Sequence, residues 1–191
     1  MEYIEHVGTA LSLAYVILLM MNKVWAWPCG IIGSILIGIA LFTNEKPLYM
    51  ETGSYIVYTV MGIYGWYHWV ADKGEKEEAL AISEWKIWHH VVAIALTAMI
   101  GIFIGDVLSA ITNASSPYFD SLTTTFAMLG TWMQARKVLS NWVYWFFINL
   151  ASVKLYWSND FNSLPYLALI FTALSVSGFI QWLKIYRSQN V

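Results

Sequence analysis

Seven apolar segments divide the chain, and several are short for a helix that crosses a bilayer, so we expect their helices to extend a few residues into the flanks, for example to Val138 and Leu139 after the fifth segment. They lack the alternation and the turn signals of barrel strands, so the pattern predicts helices. Charged residues make up only 12% of the chain, about half the share found in soluble domains, and the net charge is −2. The sequence therefore predicts an all-α integral membrane protein with seven transmembrane helices, and it excludes a soluble enzyme or a nucleic-acid-binding protein. The segments are Val7–Met21, Trp27–Thr43, Leu48–Val70, Trp88–Ile111, Leu122–Ala135, Trp142–Trp157 and Leu164–Leu183.

Lysine and arginine are distributed unequally between the two ends of this bundle. Successive connections between seven antiparallel neighbours lie at opposite ends of the bundle. On this assignment only Lys46 and Lys154 lie at one end, and the other eight basic residues lie at the end that carries the C-terminus. We name the latter the basic end. Because cytoplasmic loops are enriched in Lys and Arg, we expect a cytoplasmic C-terminus and an outer N-terminus.

A faint internal repeat relates the first three segments to the last three. Trp27 and Trp142 each begin a segment and lie 115 residues apart, and a Gly-x-x-x-Trp pattern that starts at Gly62 recurs at Gly178. We therefore expect two parallel three-helix bundles joined by a linking helix, an organisation typical of transporters. The expected divisions are 1–70 for the first bundle, 71–111 for a charged, solvated cytoplasmic loop and the linking helix, and 112–191 for the second bundle and tail.

Polar and aromatic residues recur at helical spacing on the predicted helices, which places them on one face. Such residues are costly against lipid and favour the bundle interior. With no charge in the middle of the spans, they suggest a cavity for a planar, hydrogen-bonding solute. The stripes are Tyr55, Tyr58, Gly62, Gly65 and Trp69 on the third segment, Asp120, Thr124, Thr131 and Gln134 on the fifth, and Trp142, Trp145, Asn149, Ser152 and Tyr156 on the sixth.

Each of these residues also has a purely structural interpretation. Asn149 and Thr131 are either interhelical contacts or ligand contacts, and Gln134 is either a ligand contact or part of a gate. Pro28 follows Trp27 at a helix start, where proline is tolerated sterically; a bend that gates the cytoplasmic end is the alternative. An interfacial belt accounts for the tryptophans at the basic end, whereas Trp145 lies deeper and favours a cavity. The belt tryptophans are Trp25, Trp27, Trp66, Trp69, Trp85, Trp88 and Trp182.

Other classes of seven-helix protein fit less well. A retinal protein needs a Schiff-base lysine within the seventh helix, and Leu164–Leu183 contains none. The spans carry no Ser–His pair, aspartate dyad or metalloprotease motif, so no enzyme is predicted. Cys29 is the only cysteine and the four histidines lack ligand spacing, so neither a metal nor a cofactor is expected.

Several motifs together resemble the PnuC vitamin transporters of bacteria, over about Val7 to Tyr186. The resemblance implies a SWEET-like fold in the inner membrane, and facilitated uptake of nicotinamide riboside that a cytoplasmic kinase traps by phosphorylation. It also implies a homotrimer. The motifs are Trp27-Pro28-Cys29-Gly30, Gly62-Ile63-Tyr64-Gly65-Trp66, Asp120-Ser121-Leu122-Thr123-Thr124, Gln134-Ala135-Arg136-Lys137 and Asn141-Trp142-Val143-Tyr144-Trp145 with Asn149.

By position in these motifs, the resemblance implies that Gln134, Asn141, Trp142, Trp145 and Asn149 bind the solute. The helical stripes add Thr131 and Tyr156 to the predicted site. Nicotinamide riboside is a pyridinium cation, which aromatic faces can hold without a carboxylate. Thiamine is also a cation, so it stays open as an alternative, as does a bundle or receptor without transport activity.

Overall fold

The chain forms seven helices and no strand within the residues that the computed structural model describes, which are 2–43, 49–71, 81–112, 116–158 and 164–189. The predicted count and type of element are confirmed. The helices are α1 (Glu2–Met20), α2 (Ala26–Phe42), α3 (Tyr49–Ala71), α4 (Ile87–Ile111), α5 (Pro117–Ala135), α6 (Asn141–Ser158) and α7 (Leu164–Gln189).

Helix α4 stands apart from the rest of the bundle. Its backbone lies close only to that of α5 among the described helices, and its buried residues are Gly101 and Gly105, which allow this approach. Near its start, the His90 side chain also contacts Tyr144 of α6, with Nδ1 3.0 Å from the hydroxyl. The remaining surface of α4 is a run of exposed isoleucine, valine, leucine and phenylalanine side chains. By length and mean hydropathy, α4 and the Pro165–Gln189 part of α7 qualify as membrane spans on their own. The apolar stretches His6–Met20 of α1 and Ala26–Phe42 of α2 are shorter than a typical span.

The same turn joins α1 to α2 and α5 to α6. In the first, the N–H of Lys23 bonds to the carbonyl of Leu18 at 2.9 Å, and Asn22 adopts a φ of 54°. In the second, the N–H of Val138 bonds to the carbonyl of Met133 at 2.9 Å, and Lys137 adopts a φ of 50°. This is the Schellman pattern of a helix that ends on a left-handed residue.

All of these positions differ by 115 residues between the two turns, so the predicted repeat is present in the backbone itself. The left-handed residue also explains one error of the sequence analysis. The fifth helix was expected to continue to Val138 and Leu139, but Lys137 ends it after Ala135.

A tryptophan at the start of α2 and another at the start of α6 pack on equivalent glycines. The ring of Trp27 covers Gly65 of α3, and the ring of Trp142 covers Gly178 of α7. The pairing of Gly62 with Gly178 was therefore wrong by three residues. Gly65 also begins a Gly-x-x-x-Trp pattern, and this copy matches the one in α7.

Four tryptophans form one buried group at the basic end, which we name the aromatic cluster: Trp27, Trp69, Trp142 and Trp182. Ring centroids lie 5.6 Å apart between Trp27 and Trp69, 6.2 Å between Trp69 and Trp182, and 5.6 Å between Trp142 and Trp182. The belt interpretation is therefore wrong for Trp27, Trp69 and Trp182, which are at most 4% exposed. The exposed side chains of Trp25, Trp66 and Trp88 remain compatible with a belt.

Two indole hydrogen bonds in this cluster cross between the repeats. Trp69 of α3 donates from Nε1 to the carbonyl of Ala135, the last residue of α5, at 3.1 Å. Trp182 of α7 donates to the carbonyl of Leu19, near the end of α1, at 2.9 Å. Each repeat thus satisfies a helix-end carbonyl of the other, at positions where no intrahelical partner exists. The side chain of Lys137 closes over the cluster, with Nζ 4.2 Å from the Trp69 ring centroid.

The segment 81–86, which leads from α3 towards α4, lies beside the α5–α6 turn and pairs with it. Ser83 exchanges two backbone hydrogen bonds with this turn, from its N–H to Lys137 at 3.0 Å and from the N–H of Leu139 at 2.8 Å. Ile82 is buried against the aromatic cluster, and Glu84 accepts a 2.8 Å bond from the hydroxyl of Ser140. Ala81, Ser83, Glu84 and Lys86 are exposed to solvent, whereas Ile82 and the Ser83 backbone fix the segment to the bundle. Residues 72–80 of the expected solvated loop lie outside the described part of the chain.

Candidate functional site

A cavity of about 400 Å³ lies between the two repeats, and the aromatic cluster borders it at the basic end. Its volume is in the range of sites that hold small organic molecules. Six helices supply its described lining, and α4 supplies none of it. The lining is Ser12, Tyr15 and Val16 of α1; Trp27, Gly30 and Ser34 of α2; Tyr55, Tyr58 and Gly62 of α3; Thr123, Thr124, Ala127, Thr131 and Gln134 of α5; Trp142, Trp145, Ile148, Asn149 and Ser152 of α6; and Leu167, Ala168, Phe171 and Ser175 of α7.

Equivalent positions of the two repeats line the cavity from opposite sides. Trp27 and Trp142 are one such pair, and Ser34 and Asn149 are another at the same offset of 115 residues. In α3 and α7, where the offset is 113, Tyr55, Tyr58 and Gly62 correspond to Ala168, Phe171 and Ser175. The cavity therefore lies on the pseudo-two-fold axis that relates the repeats, where parallel-repeat transporters hold their solute.

Most of the predicted site residues meet at this cavity. Thr131, Gln134, Trp142, Trp145 and Asn149 all line it, as does the predicted gate residue Trp27. The helical spacing brings them together because one face of α5 and one face of α6 look onto the same space. That they bind a solute stays a prediction.

Three predicted residues are placed differently. Asn141 is fully buried outside the lining, and its Nδ2 donates to the carbonyl of Val138 at 2.6 Å, so it stabilises the turn before α6. Pro28 is the third residue of α2 and does not line the cavity. Tyr156 belongs to α6, but its side chain lies outside the described residues.

Hydrogen bonds fix two amides in the cavity wall. The hydroxyl of Tyr15 donates to Oε1 of Gln134 at 3.1 Å, and this bond joins α1 of one repeat to α5 of the other. Nδ2 of Asn149 donates to the hydroxyl of Ser175 at 3.3 Å. Since each amide has further hydrogen-bonding capacity, both can also bind a solute.

Three indole N–H groups at the cavity are buried without a hydrogen-bond partner in the described part of the chain. They belong to Trp27, Trp142 and Trp145. Buried donors are nearly always paired in folded proteins, and leaving one unpaired costs about 1–3 kcal/mol. Because these nitrogens have essentially no accessible surface, an acceptor in the cavity could reach them only after the rings turn.

None of the described lining residues carries a formal charge, acidic or basic. Aromatic faces, amides and hydroxyls form the polar part of the wall instead. Such a wall can hold a flat, polar solute by stacking and hydrogen bonds, and it offers no proton carrier.

Sequence reasoning missed the contributions of α1 and α2, most clearly Tyr15 and Ser34. A usable signal was the repeat itself, because Ser34 lies 115 residues before Asn149. Phe171 and Ser175 follow in the same way from Tyr58 and Gly62 once the register of α3 and α7 is corrected. Tyr15 gave no such signal, because its equivalent is Gly130.

A cavity on the axis of a parallel three-helix repeat, with a linking helix outside it, defines a membrane transporter for a small organic solute rather than an enzyme. A family model described as "Nicotinamide mononucleotide transporter" matches residues 2–184. The chain belongs to this family of multi-pass inner-membrane vitamin transporters of the PnuC type.

Individual relatives support the same assignment. The nicotinamide riboside transporter PnuC of Escherichia coli is 23% identical over 215 aligned positions, which cover 100% of this chain and 89% of that protein. The riboflavin/roseoflavin transporter RibM of Streptomyces davaonensis is 22% identical over 180 positions, with 93% and 83% covered. A crystal structure of the vitamin B3 transporter PnuC matches the fold with a TM-score of 0.77 at 18% identity, over 97% of this chain and 83% of that one.

Proposed function

We propose that this protein carries nicotinamide riboside across the inner membrane by facilitated diffusion, and that a cytoplasmic riboside kinase then traps it by phosphorylation. The observation that carries the proposal is the cavity whose described lining is uncharged and consists of aromatic rings, amides and hydroxyls. Each ring can hold a desolvated cation with about 0.5–2 kcal/mol. Since no carboxylate among the described lining residues fixes the pyridinium, the solute can leave as readily as it enters, which a facilitator requires.

Within this proposal, the ring of Trp145 stacks on the pyridinium and the amide of Asn149 bonds its polar edge. Both lie on the cavity-facing stripe of α6, about one helical turn apart. Gln134, Thr131 and Trp142 supply further contacts, of which the Gln134 amide is the most polar. We propose Tyr156 as a further contact, near the C-terminal end of α6 on the same stripe. Asn141 acts through the turn that positions Trp142, and we no longer propose it as a direct contact.

The riboside fits this cavity better than its mononucleotide, despite the description of the family. A phosphate carries close to two negative charges, and proteins pair such groups with Arg, Lys or a helix N-terminus. None of the described lining side chains is basic. We therefore expect nicotinamide mononucleotide to bind much more weakly than the riboside.

Riboflavin is the second candidate solute, because one relative is a riboflavin/roseoflavin transporter at nearly the same identity as PnuC. Riboflavin is a flat ring system that is neutral, so stacking without cation–π attraction would hold it. Thiamine, a cation like nicotinamide riboside, is a third.

Trp27 is the candidate gate residue of the basic end. It lines the cavity on one side and belongs to the aromatic cluster on the other, so movement of its ring would open a path between them. Pro28 follows it in the first turn of α2 and is proposed as the bend that permits this movement. We propose that the basic end lies in the cytoplasm, an orientation that the distribution of Lys and Arg supports.

We also propose a homotrimer, in which the exposed apolar face of α4 meets lipid or a neighbouring protomer. The assembly is checked by native mass spectrometry in mild detergent. A monomer at all protein concentrations would exclude the trimer without bearing on the solute.

The deciding experiment is a calorimetric titration of the purified protein with nicotinamide riboside, its mononucleotide, thiamine and riboflavin. Nicotinamide riboside should bind with the lowest Kd, and the mononucleotide should bind at least about 100-fold more weakly. Preferred binding of riboflavin would establish the second candidate. Chemical turnover of any of the four would contradict transport as the sole activity.

A further inference from the structure

The two repeats exchange a large and a small residue at equivalent positions beside the cavity. Tyr15 of α1 corresponds to Gly130 of α5, and Gly30 of α2 corresponds to Trp145 of α6. In the first repeat the ring of Tyr15 packs on Gly30, where an added Cβ would lie 2.8 Å from Cδ2. In the second, the indole of Trp145 packs on Gly130, where an added Cβ would lie 3.1 Å from Nε1.

This exchange puts one aromatic ring in each repeat but on different helices. Trp145 reaches the space between α5 and α6 from α6, whereas Tyr15 reaches the space between α1 and α2 from α1. A pseudo-symmetric cavity is thereby given two unlike sides. An asymmetric solute needs unlike sides to be held in one orientation.

Tyr15 is held in place by its own neighbours. Its ring makes an edge contact with Trp27, at 5.8 Å between centroids, in addition to its contact with Gly30. From this position the hydroxyl reaches the other repeat and donates to Oε1 of Gln134 at 3.1 Å. Gln134 itself is 3% exposed, so its amide is confined.

An unrestrained glutamine can present either its oxygen or its nitrogen to a ligand by rotating its amide. The hydroxyl of Tyr15 donates to Oε1, and this bond favours the rotamer in which Oε1 faces α1. The amide nitrogen, with two N–H donors, is then the part that remains for a solute. Gln134 then presents N–H donors rather than an acceptor.

We propose that Tyr15 is a positioning residue that determines specificity: it fixes Gln134 as a hydrogen-bond donor, so that the cavity selects solutes with acceptor oxygens. The inference rests on the proposed transport function and adds to it a residue in the first repeat. It predicts that Tyr15 affects binding only through Gln134.

The test is a double-mutant cycle measured by calorimetry with nicotinamide riboside. Tyr15→Phe removes the hydroxyl and keeps the ring, and it should weaken binding about 3- to 10-fold, the loss expected for one neutral hydrogen bond. In a Gln134→Leu background, Tyr15→Phe should change the affinity less than 2-fold. Equal losses in both backgrounds would overturn the proposal, since Tyr15 would then act independently of Gln134.

Tyr118→Phe is the matched control. It deletes a tyrosine hydroxyl that donates to Asp106 at 2.7 Å, away from the described cavity lining, and should leave the affinity unchanged.

The wild-type titration separates this proposal from the one on which it rests. If riboflavin or thiamine proves to be the preferred solute, the cycle is run with that vitamin, and the same coupling is expected. Tight binding by the wild type without coupling between Tyr15 and Gln134 overturns this inference alone. A wild-type protein that binds none of the four vitamins overturns both.

Discussion

Gly65→Ala places a methyl group where the aromatic cluster has no room for one. An ideal Cβ at this position would lie 2.3–2.5 Å from three atoms of the Trp27 ring, whereas carbon atoms in contact are about 3.5–4.0 Å apart. The ring must therefore move by about 1 Å or more. Trp27 is only 1% exposed and has Tyr15 and Trp69 against it, so the displacement is passed on to those rings.

Gly53→Ala in the same helix separates packing from backbone effects. No heavy atom lies within 4 Å of an added Cβ at Gly53, so this substitution keeps only the gain in helix propensity, about 1 kcal/mol. Gly65→Ala has the same gain but also overpacks the cluster, at a cost of about 1–3 kcal/mol. The difference between the two alanine variants should therefore be about 1–3 kcal/mol.

The two variants are compared by their midpoints of thermal unfolding in detergent. A difference of about 1 kcal/mol in the free energy of unfolding shifts the midpoint by about 2–4 °C for a chain of this length. Gly65→Ala should unfold about 2–12 °C below Gly53→Ala and should also bind solute more weakly, since Trp27 lines the cavity. Gly178→Ala, under Trp142, should behave like Gly65→Ala. Equal midpoints for Gly65→Ala and Gly53→Ala would refute the packing argument.

Four further predictions concern transport. Trp145→Ala should weaken binding by about 1–3 kcal/mol, or about 5- to 150-fold in Kd, through lost stacking, whereas Trp88→Ala at the exposed surface should leave it unchanged; equal losses would assign both to the belt. Trp69→Phe removes the hydrogen bond from Trp69 to the carbonyl of Ala135, so the basic end of the cavity should open more often. A cysteine introduced at that end should then react faster with a thiol label. A C-terminal reporter enzyme should be active in the cytoplasm, and periplasmic activity would reverse the orientation. Proteoliposomes loaded with unlabelled solute should take up labelled solute without a proton or sodium gradient, and cells that lack the kinase should equilibrate the vitamin without concentrating it.

Much of the fold could be predicted because apolar length and helical spacing are local properties of the sequence. The boundaries of α2, α4 and α6 lie within one residue of the predicted segments. The end of α5 could not be predicted in this way, because Lys137 is an unusual residue for a left-handed position. Nothing in its local sequence distinguishes it from a residue that continues the helix.

The candidate site was predictable on the helices with polar stripes and hidden on the others. Thr131, Gln134 and Asn149 are costly in lipid, so their inward position follows from physics alone. Tyr15 is not distinctive in sequence, because aromatic residues are equally at home at the membrane interface and in a core. Trp27 and Trp182 show the same ambiguity, which is why position near a helix end suggested a belt.

The two indole hydrogen bonds that cross between the repeats also bear on how such a protein arose. Trp69 of the first repeat donates to the end of α5 in the second, and Trp182 of the second donates to the end of α1 in the first. The acceptors Leu19 and Ala135 lie one residue off the 115-residue offset of the two turns, so the two bonds are nearly but not fully equivalent. Two copies of one three-helix unit could form such a pair of bonds across a two-fold axis, and a chain that links them through α4 can carry different side chains in its two halves, as at Tyr15 and Gly130.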